Sequence, residues 1–254
     1  MKERVLPPVV AACVGLALWE GAARGFAIPP YLLPPPSAVA RAVWTDAAVL
    51  ASASATTATA ALAGFLASTI SGVAFGFLLA SSRLLERGLY PYAVILQTVP
   101  IVAIAPLLVL WCGVGLKAVA ASAFIVSVFP VITSALAGVR AIDPALRALF
   151  QLYGASRFQV LYKLDLPGAA PQIATGLRVA CGLSVIGAIV GEFVAGFSDG
   201  SPGLGIVVMT SYRQLRTDLL FGAVACSSLL GIAMFGAVSL ISQVALRRWC
   251  ATGR

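Results

Sequence analysis

The chain has 254 residues, of which 60% are hydrophobic and 10% charged, against the roughly 25% charged residues of an ordinary soluble domain; water is not its main solvent. Its formal charge of +8 would speak for nucleic acid only if the basic residues clustered on one soluble face, and they are spread along the chain. There is no His, and the five Cys (Cys13, Cys112, Cys181, Cys226 and Cys250) form no C-x-x-C pair, so metal and disulfide frameworks are disfavoured.

The apolar residues fall in six blocks, each near the roughly twenty residues a helix needs to cross the hydrocarbon core. The first, Val5 to Phe26, follows Lys2 and Arg4. A cleaved signal peptide ending near Gly25-Phe26-Ala27 is the alternative reading, against which the length of the run favours a retained span. Glu20, near the outer end of this block, reads as a solvated boundary residue. An external loop, 27–52, carries Pro29-Pro30 and Pro34-Pro35-Pro36, with Ser37 placed to cap a short helix through Trp44.

The second block is Ala53 to Ala80, and an inner turn, Ser81 to Gly88, leads to the third, Tyr90 to Cys112. After the outer turn Gly113 to Lys117 comes the fourth, Ala118 to Val139. Pro91, Pro100, Pro106 and Pro130 fit either broken helices lining a cavity or kinks used for packing. Gln97, Thr98, Ser127 and Thr133 supply polar groups nearby, although Ser and Thr in such helices commonly bond to their own backbone. Gln97, Thr98, Pro100, Pro106, Phe129 and Pro130 are the candidates for a pathway in this half.

Residues 140–171 are too long for a turn and have a helical period of their own. Asp143 is placed to cap a helix and Pro144 to occupy its first turn, with Leu146, Leu149, Phe150 and Tyr153 on one apolar face. Gly154 ends it, and Ser156 caps a second helix through Arg157, Phe158, Val160, Leu161, Tyr162 and Leu164 that Pro167 is expected to stop. Two amphipathic helices joined by a glycine turn either lie on the membrane surface or form a knob that fills a groove on a partner.

The fifth block, Gln172 to Phe197, contains Glu192, an ionisable group at membrane depth with a pathway, gating or structural role. An outer loop, 198–218, with Ser201-Pro202-Gly203-Leu204-Gly205 leads to the sixth block, Leu219 to Leu246. Strands of a barrel would show alternating polarity in stretches of about ten, which is absent. The expected fold is therefore all-α and polytopic, a single transmembrane domain over 1–254 with about six spans and a cytoplasmic two-helix loop between the fourth and fifth.

With both termini in the cytoplasm, Lys2, Arg4, Arg83, Arg87, Arg140, Arg147, Arg157, Lys163, Arg178, Arg247, Arg248 and Arg254 fall inside, leaving Arg24, Arg41, Lys117, Arg213 and Arg216 outside. This is the positive-inside pattern, with attraction to membrane lipid as a by-product.

Gly154 followed after nine residues by Leu164-Asp165-Leu166-Pro167 resembles the cytoplasmic signature of binding-protein-dependent ABC importer permeases. The signature usually opens on Glu-Ala-Ala, where this chain has Ala148-Leu149-Phe150, so its acidic residue is missing. Pro100 to Leu107, Trp111 to Gly115, Phe129-Pro130, Gly138, Asp143-Pro144, Gly176-Leu177-Arg178, Glu192 and Gly203-Leu204-Gly205 extend the likeness to the nitrate, sulfonate and taurine importer group. The resemblance implies a bacterial-type cytoplasmic membrane, two permease copies, cytoplasmic ATPase subunits that use ATP and Mg, and an external substrate-binding protein. It places ATPase coupling on Arg147, Ala148, Leu149, Phe150, Tyr153, Gly154, Arg157, Phe158, Lys163, Leu164, Leu166 and Pro167. The chain has no G-x-x-x-x-G-K-[ST] loop, so it is not itself expected to cradle nucleotide phosphates by that means, and no cofactor or metal is expected on it.

An ion-coupled secondary transporter would commonly place several carboxylates or His within its spans, and here Glu192 is nearly alone. No nucleophile and base pair or carboxylate pair at helical spacing speaks for a membrane enzyme. Related permeases also serve pyrimidine precursors of thiamine and riboflavin, which leaves the substrate open.

Overall fold

The computed structural model describes residues 2–195 and 202–250, and these are helical apart from short connections. The end of the fifth block (196–197) and the start of the outer loop (198–201) lie outside the described residues. In chain order the helices are α1 (Lys2–Gly25), α2 (Pro36–Thr45), α3 (Ala47–Ala80), α4 (Arg83–Thr98), α5 (Ile101–Cys112) and α6 (Leu116–Arg140). They continue with α7 (Pro144–Leu152), α8 (Arg157–Val160), α9 (Leu166–Ala195), α10 (Leu204–Arg213) and α11 (Thr217–Cys250). Among the described residues four helical stretches are long and apolar enough to cross a membrane, and α4 with α5 make a fifth if that bent pair is one span.

The third block is thus not one straight helix. Val99 is extended (φ −71°, ψ 124°) before Pro100, and α5 leaves α4 at 98°. A proline's ring disfavours the helical conformation for the residue before it and offers no N–H to the preceding turn, and at Val99-Pro100 the chain breaks where both effects meet. Pro91, Pro106 and Pro130 remain inside α4, α5 and α6, so of the four suspected breaks only Pro100 is one.

The centre of the bundle is α6 held between α3 and α9. Ala123 of α6 is fully buried, and a Cβ added at Gly64 of α3 or at Gly187 of α9 would collide with it or with its backbone. Small residues let helix axes approach closely where the surrounding solvent is apolar and the hydrophobic effect contributes little to helix association. Around this contact Phe65, Val131, Cys181, Val185 and Met234 complete the core. A second cluster, Leu50, Ala53, Leu204, Val207, Leu219 and Ala223, seats the short α10 among α3 and α11 at the end of the bundle away from α7.

Helix α2 is not capped by Ser37. Its N-cap is Pro35, without a side-chain cap, and Glu20 of α1 accepts hydrogen bonds from the Ser37 amide (3.0 Å) and hydroxyl (2.8 Å) while pairing with Arg24 at 2.6 Å. The same end is stitched by Arg216 to Asp46 (2.6 Å) and by the Thr217 hydroxyl donating to the Tyr31 carbonyl (2.7 Å).

Candidate functional site

Between α6 and α9 the chain folds into a knob. The Asp143 carboxylate accepts from the Ala145 amide at 2.8 Å and Pro144 starts α7, which satisfies one free donor of the first turn and needs no other at the proline. At its end Gly154 adopts φ +65°, its amide reaches the Gln151 carbonyl (2.9 Å) and the Ala155 amide reaches that of Phe150 (3.0 Å). This pair of bonds is a Schellman ending, which requires a left-handed residue and so favours glycine. Ser156 and Gln159 then cap α8 reciprocally, at 3.3 and 2.8 Å.

The expected stop at Pro167 does not occur. α8 passes through one π turn, Leu161 to Asp165, in which the Leu166 amide reaches back five residues to Leu161, and continues into α9. Pro167 lacks the amide that an α-helix would direct at Lys163, and the widened turn before it removes the ring's clash with the preceding backbone. The second helix of the loop thereby runs on into α9, the helix that packs on α6.

Leu149, Leu152, Tyr153, Phe158 and Tyr162 are exposed on this knob, Tyr153 at 83% and Phe158 at 74%. Leu149, Phe150, Tyr153, Ala155, Gln159 and Lys163 line a shallow cleft of about 220 Å³ between its two helices. Arg157 and Lys163 lie on the exposed surface and so does Ala148, whereas Leu164 is buried and Leu166 and Pro167 are half-buried. Arg147 is turned inward: its guanidinium pairs with Asp165 at 2.6 Å, tying α7 to the π turn. That pair joins residues 18 apart across the glycine turn, and the only sequence signal for it is their opposite charge.

Of the pathway candidates, the structure brings Gln97, Thr98, Pro100 and Pro130 together. With Val99, Ile101, Ile125, Val126 and Leu183 they line a cleft of about 330 Å³ where α4 breaks against α6 and α9. Pro130 leaves the Val126 carbonyl without its i→i−4 donor, and both residues line this cleft. The Thr98 hydroxyl donates to the Ile95 carbonyl at 2.8 Å. Phe129 stacks on Tyr90 with centroids 6.3 Å apart, and neither it nor Pro106 is among the lining residues. Glu192 is elsewhere, 3% exposed and bonded to Thr57 and the start of α10. Thr57 had no signal in the sequence.

Residues 72–249 match the family described as "Binding-protein-dependent transport system inner membrane component". The chain is 30% identical to the taurine transport system permease protein TauC of Escherichia coli, covering 97% of this chain and 88% of that one. It is also 30% identical to the formylaminopyrimidine transport permease protein ThiX of Halalkalibacterium halodurans, covering 96% of each. Among solved structures, the MetNI methionine ABC transporter in inward-facing conformation matches with a TM-score of 0.66 at 17% identity, over 77% of this chain and 95% of that one.

Proposed function

The chain belongs to the family of binding-protein-dependent transport system inner membrane components, and from that premise we propose that two copies of it form the pathway of an importer driven by separate ATPase subunits. It is a multi-pass inner-membrane permease of an ABC importer. In the proposed assembly the knob, residues 140–171, and both termini face the cytoplasm, the orientation the distribution of Lys and Arg favours. The ATPase, using ATP and Mg, docks there, and an external binding protein delivers the solute to the opposite end. The reading rests above all on one observation: the knob exposes Leu149, Leu152, Tyr153, Phe158 and Tyr162 on a well-capped, ordered turn. Such anchors are what an apolar groove on a partner would take up, with Arg157 and Lys163 as a basic rim. Arg147, held by Asp165, shapes the knob.

The test is co-purification. Tyr153→Asp with Phe158→Asp should lower recovery of the ATPase on a tagged permease about tenfold, the scale of losing one or two buried anchors. Unchanged recovery would move the dock elsewhere.

The cargo we propose is a small nitrate-, sulfonate- or taurine-like solute crossing beside Gln97 and Thr98, supported by the identity to the taurine permease. A pyrimidine precursor of thiamine is the second reading, supported by the equal identity to the formylaminopyrimidine permease, with riboflavin in the same group. Calorimetry of the cognate binding protein with taurine and with formylaminopyrimidine separates the two.

A further inference from the structure

Glu192 and the Gly203-Leu204-Gly205 run are built into one another. One carboxylate oxygen of Glu192 accepts from the Thr57 hydroxyl at 2.8 Å and the other from the Gly205 amide at 2.7 Å, while the Thr57 hydroxyl oxygen accepts from the Leu204 amide at 2.8 Å. Leu204 and Gly205 are the first two residues of α10, and the N-cap, Gly203, has no side chain to satisfy them. Two of the free donors of this helix, the Leu204 and Gly205 amides, are therefore met by side chains of α3 and α9, and the Glu192 carboxyl group sits at the positive end of α10. The glycines make room for it. A Cβ at Gly203 would overlap the Glu192 carboxylate, and one at Gly205 would come within 2.6 Å of the Ile189 carbonyl.

The same carboxylate is poorly placed to meet a solute. Both of its oxygens are engaged by neutral donors, and among the described residues no Lys or Arg forms an ion pair with it. Leu183, the α9 residue that lines the cleft at Pro100, precedes Glu192 by nine positions, which at 3.6 residues per turn puts them about 180° apart on the helix.

We propose that Glu192 is a positioning residue that, with Thr57, caps α10 in trans and locks α3, α9 and α10 into one body that moves as a unit during transport. What the latch requires is acceptor geometry, not mobile charge. This rests on family membership and is independent of which solute is carried.

The experiment is hydrogen exchange of the segment 202–213, together with ATP hydrolysis stimulated by the binding protein, in the intact permease–ATPase complex. Glu192→Ala should speed exchange of the Gly205 amide about tenfold, as expected when a buried donor loses its acceptor, and should depress stimulated hydrolysis. Glu192→Gln, whose oxygen can still accept from the Gly205 amide while its NH2 donates to the Thr57 hydroxyl oxygen, should stay close to wild type in both. Gly203→Ala should mimic Glu192→Ala by displacing the carboxylate, and the double variant should be no worse than either single one, since both remove the same contact. If Glu192→Ala does not assemble, Thr57→Val, close in shape but without the hydroxyl, carries the same expectation for the Leu204 amide. Unchanged exchange in these variants, or a Glu192→Gln complex as inactive as Glu192→Ala with normal exchange, overturns the latch in favour of a pathway carboxylate. A wild-type complex without stimulated hydrolysis contradicts the importer reading, and the exchange measurements still decide the latch.

Discussion

Substitution at Gly154 isolates the backbone of the knob from its contacts. Gly154 has φ +65°, and an added Cβ would meet nothing within 4 Å, so a methyl group there creates no clash within the chain. What it adds is the left-handed strain of an L-residue, about 1 kcal/mol for Ala and up to about 2 kcal/mol for a branched residue, with Asn costing less. A difference of that size lowers the population of the intact turn by a factor of roughly 5 to 30. The bonds at risk are those from Gly154 to Gln151 and from Ala155 to Phe150, which hold α7 against the start of α8. Binding-protein-stimulated ATP hydrolysis, measured on complexes matched for permease content, should therefore fall in the order Asn, Ala, Val, with Val lowest. A Val variant equal to wild type, or an Asn variant worse than Val, would refute the claim that this turn transmits coupling.

Arg147→Ala strands Asp165, which is largely buried, and should destabilise the knob by about 1–2 kcal/mol, less than a fully buried pair because Arg147 is 38% exposed. Restoration by a second change, Asp165→Asn, read as thermal stability of the detergent-solubilised permease, would identify the stranded charge as the cause. Arg216→Ala removes a more exposed pair with Asp46 and should shift the same midpoint hardly at all, the pair being worth about 0–1 kcal/mol. Pro100→Ala restores an amide at the bend between α4 and α5, and uptake by cells carrying this variant should fall if the 98° break shapes the pathway.

The parts of this fold that were legible in the sequence are those decided by neighbours along the chain. Asp143, Pro144, Gly154 and Ser156 announce the two short helices because caps, first-turn prolines and left-handed glycines act over three or four residues. The apolar blocks announce their helices because a spanning segment must satisfy its own backbone. What escaped depends on distant partners or on backbone adjustments that residue type does not announce. Ser37 looks like a cap, yet the carboxylate of Glu20, 17 residues away, takes over its amide. Pro167 looks like a stop, yet a π turn carries the helix past it. Four prolines fitted breaks and packing kinks alike, and three are carried within helices packed against their neighbours. The partnership of Thr57 with Glu192 spans 135 positions and leaves no periodic trace.

The central claim, that this chain is the permease of an ATP-driven importer, is tested most directly by reconstitution in sealed vesicles. The permease would be inserted with its proposed ATPase and binding-protein partners, and uptake of the binding protein's calorimetrically identified ligand followed. Uptake that requires ATP, Mg and the binding protein, and persists when the proton gradient is collapsed, is the predicted result. Uptake that continues without ATP and follows the proton gradient would contradict it.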